Sequence, residues 1–201
     1  MALPLIDDFT DGPARLAVDG LGASTAYQPG AMLGGGRYTH LHVAVDPRHE
    51  SASLEVGDAA LDVSLGAQQL ARIEVGWGFK AVNGRGEHAP LDTSAPGAGD
   101  FVSHGNMVRA NFSSLNTLQP LNFNALLFTP SGYLQAGINV EGSLSPFSVN
   151  FHFAGPGVAG RRDARFAGVP GVPQSLSNIR YLVLIFQGNG DFVVTSVELA
   201  P

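Results

Sequence analysis

The sequence predicts an all-β protein: one β-sandwich of jelly-roll type, about a dozen strands, little or no helix, residues 1–201 forming a single domain. Three observations predict it. No window of about 11 residues carries the i, i+3, i+4, i+7 apolar spacing of an amphipathic helix. Apolar and polar residues instead alternate at period two from end to end. Between these alternating runs fall most of the 26 glycines and 13 prolines, where turns need them.

The elements follow in order. Ser51 to Leu65 reads as a hairpin, with Leu54 and Val56 before a Gly57-Asp58 turn and Leu61, Val63 and Leu65 after it. Ala71, Ile73, Val75, Trp77 and Phe79 share one face of the next strand, with Arg72 and Glu74 on the other. Trp77 is therefore expected in the core. Phe147, Val149, Phe151 and Phe153 alternate with Ser148, Asn150 and His152. Ile179 to Phe186 is almost wholly apolar, which predicts a central strand buried on both faces. Gly188-Asn189-Gly190 turns the chain, and Phe192 to Leu199 returns with Val193, Val197 and Leu199 on one face. Val82 to Gly99 and Ala154 to Gln174 read as long loops, the second carrying Arg161-Arg162-Asp163-Ala164-Arg165 as a solvated tip.

Composition excludes several classes. Hydrophobic residues make up 44% of the chain, far too many for a disordered one. Charged residues make up only 14%, against about 25% in an ordinary soluble domain. The net charge of −6 and a single lysine, Lys80, argue against nucleic acid as a partner. No apolar run approaches the roughly 20 residues of a membrane-spanning helix. The absence of cysteine removes disulfides, thiolate metal sites and cysteine nucleophiles. Met1 to Asp8 has neither the basic start nor the apolar length of a signal peptide. The expected location is extracellular or cell-surface if a signal peptide was removed, and virion or cytoplasm otherwise.

The order of features resembles the galactose-binding-like jelly-roll modules of bacterial extracellular proteins, many of which bind carbohydrate. The residues that carry the likeness are Ile6-Asp7-Asp8-Phe9, the glycine-rich Gly30 to Arg37, the strand pair within Leu121 to Val140, and the closing Phe192 to Leu199. The chain also resembles the complex I intermediate-associated family. Leu33 interrupts that family's Met-Gly-Gly, and an assembly-factor role is not carried over. The resemblance implies a jelly roll that binds sugars or partners without catalysis.

Three constellations carry candidate chemistry. The first is a polar strand face of Arg109, Asn111, Asn122, Asn124, Tyr133, Gln135, Asn139, Asn150 and His152. Amides and guanidinium offer paired donors and acceptors to vicinal hydroxyls, and a tyrosine ring stacks on a sugar's C–H face. The second is a structural calcium ion between the first and last strands, a feature of many modules of this resemblance, with Asp7, Asp8, Asp191 and Glu198 as hard oxygen ligands. The third is His40-Leu41-His42, whose imidazoles share one strand face and could reach one transition metal. Gly34 before them and Asp46 after them resemble the first half of a cupin motif, with His49, Glu50, His104 or His152 as a third ligand. Gly34-Gly35-Gly36 has no lysine and no following helix, so it reads as a tight turn rather than a phosphate loop.

The leading functional expectation is a non-catalytic binding module for carbohydrate on a cell surface or matrix. The alternative is a structural or assembly protein, such as a virion decoration or tail component or an extracellular assembly subunit. A metal-dependent jelly-roll enzyme using His40 and His42 comes third. Calcium is the one cofactor expected, and the partner is a carbohydrate or a protein, including a further copy of the chain.

Overall fold

The computed structural model describes residues 5–78, 100–153, 160–168 and 175–201. Fifteen strands run through them: β1 (Leu5–Asp7), β2 (Ala14–Asp19), β3 (Gly22–Pro29), β4 (Gly36–Val45), β5 (Ser51–Gly57), β6 (Ala60–Ser64), β7 (Leu70–Trp77), β8 (Met107–Asn116), β9 (Leu121–Thr129), β10 (Gly132–Val140), β11 (Phe147–His152), β12 (Asp163–Arg165), β13 (Ala167–Gly168), β14 (Tyr181–Gly188) and β15 (Asp191–Ala200). A 3-10 turn at Leu33–Gly35 is the one helical element among the described residues.

The strands form two sheets. The front sheet has the order β13-β10-β9-β14-β7-β4-β3, and the back sheet β12-β11-β8-β15-β6-β5-β2, with β1 on β15. Within them β6-β15-β8-β11 lies opposite β7-β14-β9-β10, the strand order of a jelly roll. The predicted sandwich is therefore the observed fold. The inner faces bury the alternating apolar residues, led by Phe112, Phe123, Phe151, Phe186 and Phe192. Phe123 and Phe186 stack at 4.4 Å between centroids, and Phe186 continues to Phe192 at 4.7 Å.

Individual strands refine the reading. Trp77 is fully buried, as its strand face implies; Phe79 lies outside the described residues, as do Lys80 and the whole of Val82 to Gly99. The hairpin turn falls one residue later than predicted, with Asp58 and Ala59 at its centre, both at positive φ. In β15 the inward residues are Phe192, Val194, Val197 and Leu199, while Val193 points outward. A register shift around Val194 advances the alternation by one position, which periodicity in the sequence cannot show. Gly34 has φ +71°, and a Cβ there would stand 2.5 Å from the Gly78 Cα, so the glycine run is the tight turn expected.

The N-terminal strand is pinned from inside. Asp7 is buried, and its Oδ2 accepts hydrogen bonds from Arg37 Nη1 at 2.6 Å and Trp77 Nε1 at 2.7 Å, while Oδ1 accepts from the Phe9 amide at 2.8 Å. Arg37 is itself fully buried, and its Nη2 donates to the carbonyls of Asp11 and Gly12. Because β1 belongs to the back sheet and β4 and β7 to the front, this ion pair ties the two layers together. A second tie closes the opposite edge. Of the basic segment expected as a loop tip, Arg161 and Arg162 lie in a turn while Asp163–Arg165 form β12, parallel to β11, and the following Ala167–Gly168 forms β13, antiparallel to β10.

Candidate functional site

Register places the outward residues of the front sheet in rows that cross its strands. One row is aromatic: Tyr133 on β10, Phe128 on β9 and Tyr181 on β14. Phe128 stacks on Tyr181 at 4.2 Å and meets Tyr133 at 5.8 Å. The next row reads Gln135, Leu126, Val183, Gly76, Tyr38, Tyr27. A third reads Gly137, Asn124, Ile185, Glu74, His40, Thr25, and a fourth Asn139, Asn122, Gln187, Arg72, His42, Ala23. The central strand β14 is buried on both sides, as its apolar run predicted. No further layer of described residues covers its outer side. Val183 and Ile185 are buried on that side and form an apolar floor.

The polar groups around that floor are partly organised. Asn122 Nδ2 donates to Asn139 Oδ1 at 3.1 Å, and Asn124 Nδ2 donates to Asn122 Oδ1. That geometry needs Gly137, because a Cβ there would stand 2.3 Å from Asn124 Oδ1. Arg72 pairs with Glu74 at 2.7 Å, and Thr25 Oγ1 lies 2.7 Å from His40 Nδ1. The side chains of Gln135 and Gln187 are exposed and make no hydrogen bond among the described residues. Burial, reinforced by Glu74, pushes the Tyr38 phenol up to about 12, and burial raises Tyr181 as well. Both phenols therefore keep their protons through the physiological range.

The back sheet carries the other half of the sequence-predicted ligand set. Arg109, Asn111, Asn150 and His152 point out from β8 and β11, on the opposite side of the molecule from Asn122, Asn124, Tyr133, Gln135 and Asn139. The nine residues thus divide between the two outer sheet faces and do not share one face. On the back they are bound to one another. Arg109 Nε donates to Asn150 Oδ1 at 3.0 Å, Asn150 Nδ2 donates to Asp163 Oδ1 at 2.9 Å, and His152 Nε2 lies 3.1 Å from the same oxygen. Asn111 Nδ2 donates to Ser196 Oγ at 2.9 Å, and its Oδ1 accepts from Ser148 at 2.6 Å. Burial pushes the Asp163 carboxyl up, but the hydrogen bonds from His152 and Asn150 outweigh it and hold the group below its ordinary value.

The four carboxylates expected at a calcium site are engaged in separate places. Asp7 is the buried partner of Arg37 and Trp77. Asp8 accepts from the amide and hydroxyl of Thr10, which lowers its pKa. Asp191 accepts from the Leu65 amide at 2.8 Å, and Glu198 lies 3.6 Å from Arg109 on the back face. His40 and His42 do share the front face, with ring centroids 6.3 Å apart. Asp46 sits in the turn after β4, accepting from the Glu50 amide at 3.2 Å, and His152 is on the other sheet. Among the described residues no three His, Asp or Glu side chains are grouped to hold a metal ion.

Tyr27, Tyr38, Phe128, Tyr181 and Gln187, not singled out in sequence, complete the front surface together with Arg72 and Glu74, which the sequence placed on the strand face opposite Trp77 but not in a site. Each sits at an outward position of an alternating strand, which was the available signal. Their neighbourhood depends on register between strands far apart in the chain.

The fold and surface define the class, a jelly-roll β-sandwich with an aromatic-bearing outer sheet face. No protein-family profile and no curated protein matches the chain. Among solved structures it is similar to the family 11 carbohydrate-binding module of the cellulosomal cellulase Lic26A-Cel5E of Clostridium thermocellum, at 12% identity over 99% of this chain and 94% of that one, with a TM-score of 0.39. The same organism's family 11 module in complex with a β-1,3-1,4-mixed-linked tetrasaccharide matches at 11% identity over 98% and 94%, with a TM-score of 0.38. PfGH50B matches at 12% identity over 87% of this chain and 22% of that one, with a TM-score of 0.41. Likeness at this level is one of architecture and carries no functional weight.

Proposed function

We propose that the outer face of the front sheet binds a carbohydrate chain, and that the protein is a binding module. The observation that supports this is the aromatic row Tyr133-Phe128-Tyr181 running beside rows of amides, imidazoles and the Arg72–Glu74 pair, around an apolar floor. Stacking surface next to directional donors and acceptors is what a ring with one C–H face and a rim of hydroxyls requires. From β10 to β3 the face crosses six strands, about 24 Å at the usual spacing, which suits several sugar units laid across the strands.

The test is a glycan array, followed by titration calorimetry on any sugar that binds, with calcium and again with chelator. Tyr133→Ala combined with Tyr181→Ala should weaken binding at least about tenfold, the effect of roughly 1.4 kcal/mol. Binding unchanged in that variant would remove the front face from the account. No binding to any sugar, together with higher-order oligomers by light scattering, would favour the structural-assembly alternative. Loss of binding in chelator would show that calcium takes part.

A further inference from the structure

A cavity lies round the edge of the sandwich, where β10 of the front sheet meets β11 and β12 of the back. It is a cleft of about 690 Å3, within the range of about 300–1,000 Å3 typical of small-molecule sites. Nearly every residue lining it is polar. Asn150, Ser148 and Asp163 on its inner side are spent on the back-face network, bonded to Arg109, Asn111 and His152. The remaining polar groups are Arg161, Arg162, Asn139 and Glu141. Neither guanidinium has a hydrogen bond or ion pair among the described residues, and Arg162 is positioned with its guanidinium carbon 3.9 Å from the Phe147 ring centroid. Asn139 accepts from Asn122, and its own amide hydrogens make no hydrogen bond among the described residues. The uncommitted groups are thus donors on two cations and an amide, opposed by the one exposed carboxylate of Glu141.

We infer that this edge cleft is an anion-accepting saccharide subsite, taking the carboxylate or sulfate of an acidic sugar on Arg161 and Arg162 while Asn139 donates to a neighbouring hydroxyl. Guanidinium suits both anions because its planar fork matches two oxygens at once. Asn139 belongs to the amide row of the front face as well as to the cleft, so a chain lying on that face continues into it. The saccharide part of the inference rests on the front-face reading; the anion part does not. In an otherwise acidic protein, the two guanidiniums lining the cleft make a local positive region whose pull on an anion is screened by salt.

The experiment is an amide chemical-shift titration of the full chain with trigalacturonate, with a sulfated galactose disaccharide, and with a neutral tetraglucoside. The acidic probes should shift residues 139–142 and 160–163, and their binding should weaken by about 0.5 M salt, where screening acts over only a few ångström. Arg161→Gln with Arg162→Gln should weaken acidic-probe binding at least tenfold, and Glu141→Gln should tighten it. A response to trigalacturonate alone or to the sulfated sugar alone supports the inference and says which anion is read. Equal binding of the acidic probes to wild type and the double variant overturns it. So do shifts confined to front-face residues such as Tyr133, or no shift at about 10 mM probe, beyond the millimolar range of weak sites. Acidic probes in the cleft, with no neutral sugar of the array binding the front face, would sink the front-face reading and leave the cleft standing.

Discussion

The two outer faces of the sandwich are built from similar alternating strands and end up chemically different. On the back face the polar groups satisfy one another: Asn150 spends its carbonyl on Arg109 and its amide on Asp163, and Asn111 spends its own on Ser148 and Ser196. None of the outward strand positions described there carries Phe, Tyr or Trp. On the front face three aromatic rings stand in a row, and the outermost amides of Gln135 and Gln187 face solvent. A face whose hydrogen bonds are internal contributes rigidity. A face with exposed rings and uncommitted donors has something to offer a ligand. Polar composition alone does not separate the two; hydrogen-bond accounting does.

The largest expected effect would collapse the contrast by loosening both layers together. Asp7→Ala leaves Arg37 charged, fully buried and without its carboxylate, a loss of about 3–5 kcal/mol. Against a typical total stability of about 5–15 kcal/mol, the melting temperature should fall steeply, which calorimetry would measure. An unchanged melting temperature would show that the ion pair does not join the sheets as described.

Asn150→Ala sharpens the contrast from the back. It strips hydrogen bonds from both Arg109 and Asp163, and should cost about 1–3 kcal/mol of stability while leaving neutral-sugar affinity intact. Gly137→Ala is its mirror on the front. The added methyl displaces Asn124 and breaks its bond to Asn122, so sugar affinity should drop about tenfold, near 1.4 kcal/mol, with a smaller change in melting temperature. Measuring both quantities on both variants tests whether stability and binding separate by face. If Asn150→Ala abolished neutral-sugar binding at full stability, the assignment of faces would be inverted.

The smallest expected effect is the pH dependence of the back-face network. The folded-state pKa of Asp163 is depressed, so its ionised form stabilises the fold above the ordinary carboxylate range, near 4, and that contribution is lost as pH falls through the depressed value. Denaturant unfolding from pH 6 down to pH 2 should show a shallower acid loss in Asp163→Asn than in wild type. Parallel curves would mean that Asp163 carries no linked proton.

Much of the strand inventory was legible because alternation is local. Phe147, Val149 and Phe151 point inward, and Ser148, Asn150 and His152 outward, because successive strand residues face opposite sides whatever they pair with. Trp77 in the core and the turn at Gly34 follow from equally local rules. The bulge in β15 was not legible, since the extra residue changes the phase of alternation without any mark in composition.

The candidate site divides in the same way. The sequence by itself determined that Asn122, Asn124, Tyr133, Gln135 and Asn139 would share one side of their strands, and Asn150 and His152 one side of another. Tertiary structure alone decided that these are opposite sides of the molecule, that Tyr181 and Tyr38 join the first group, and that Asp7 turns inward to Arg37. The physical reason is range. Side-chain direction within a strand is fixed by backbone geometry between neighbours, whereas strand order and register are fixed by the burial of all inner faces at once.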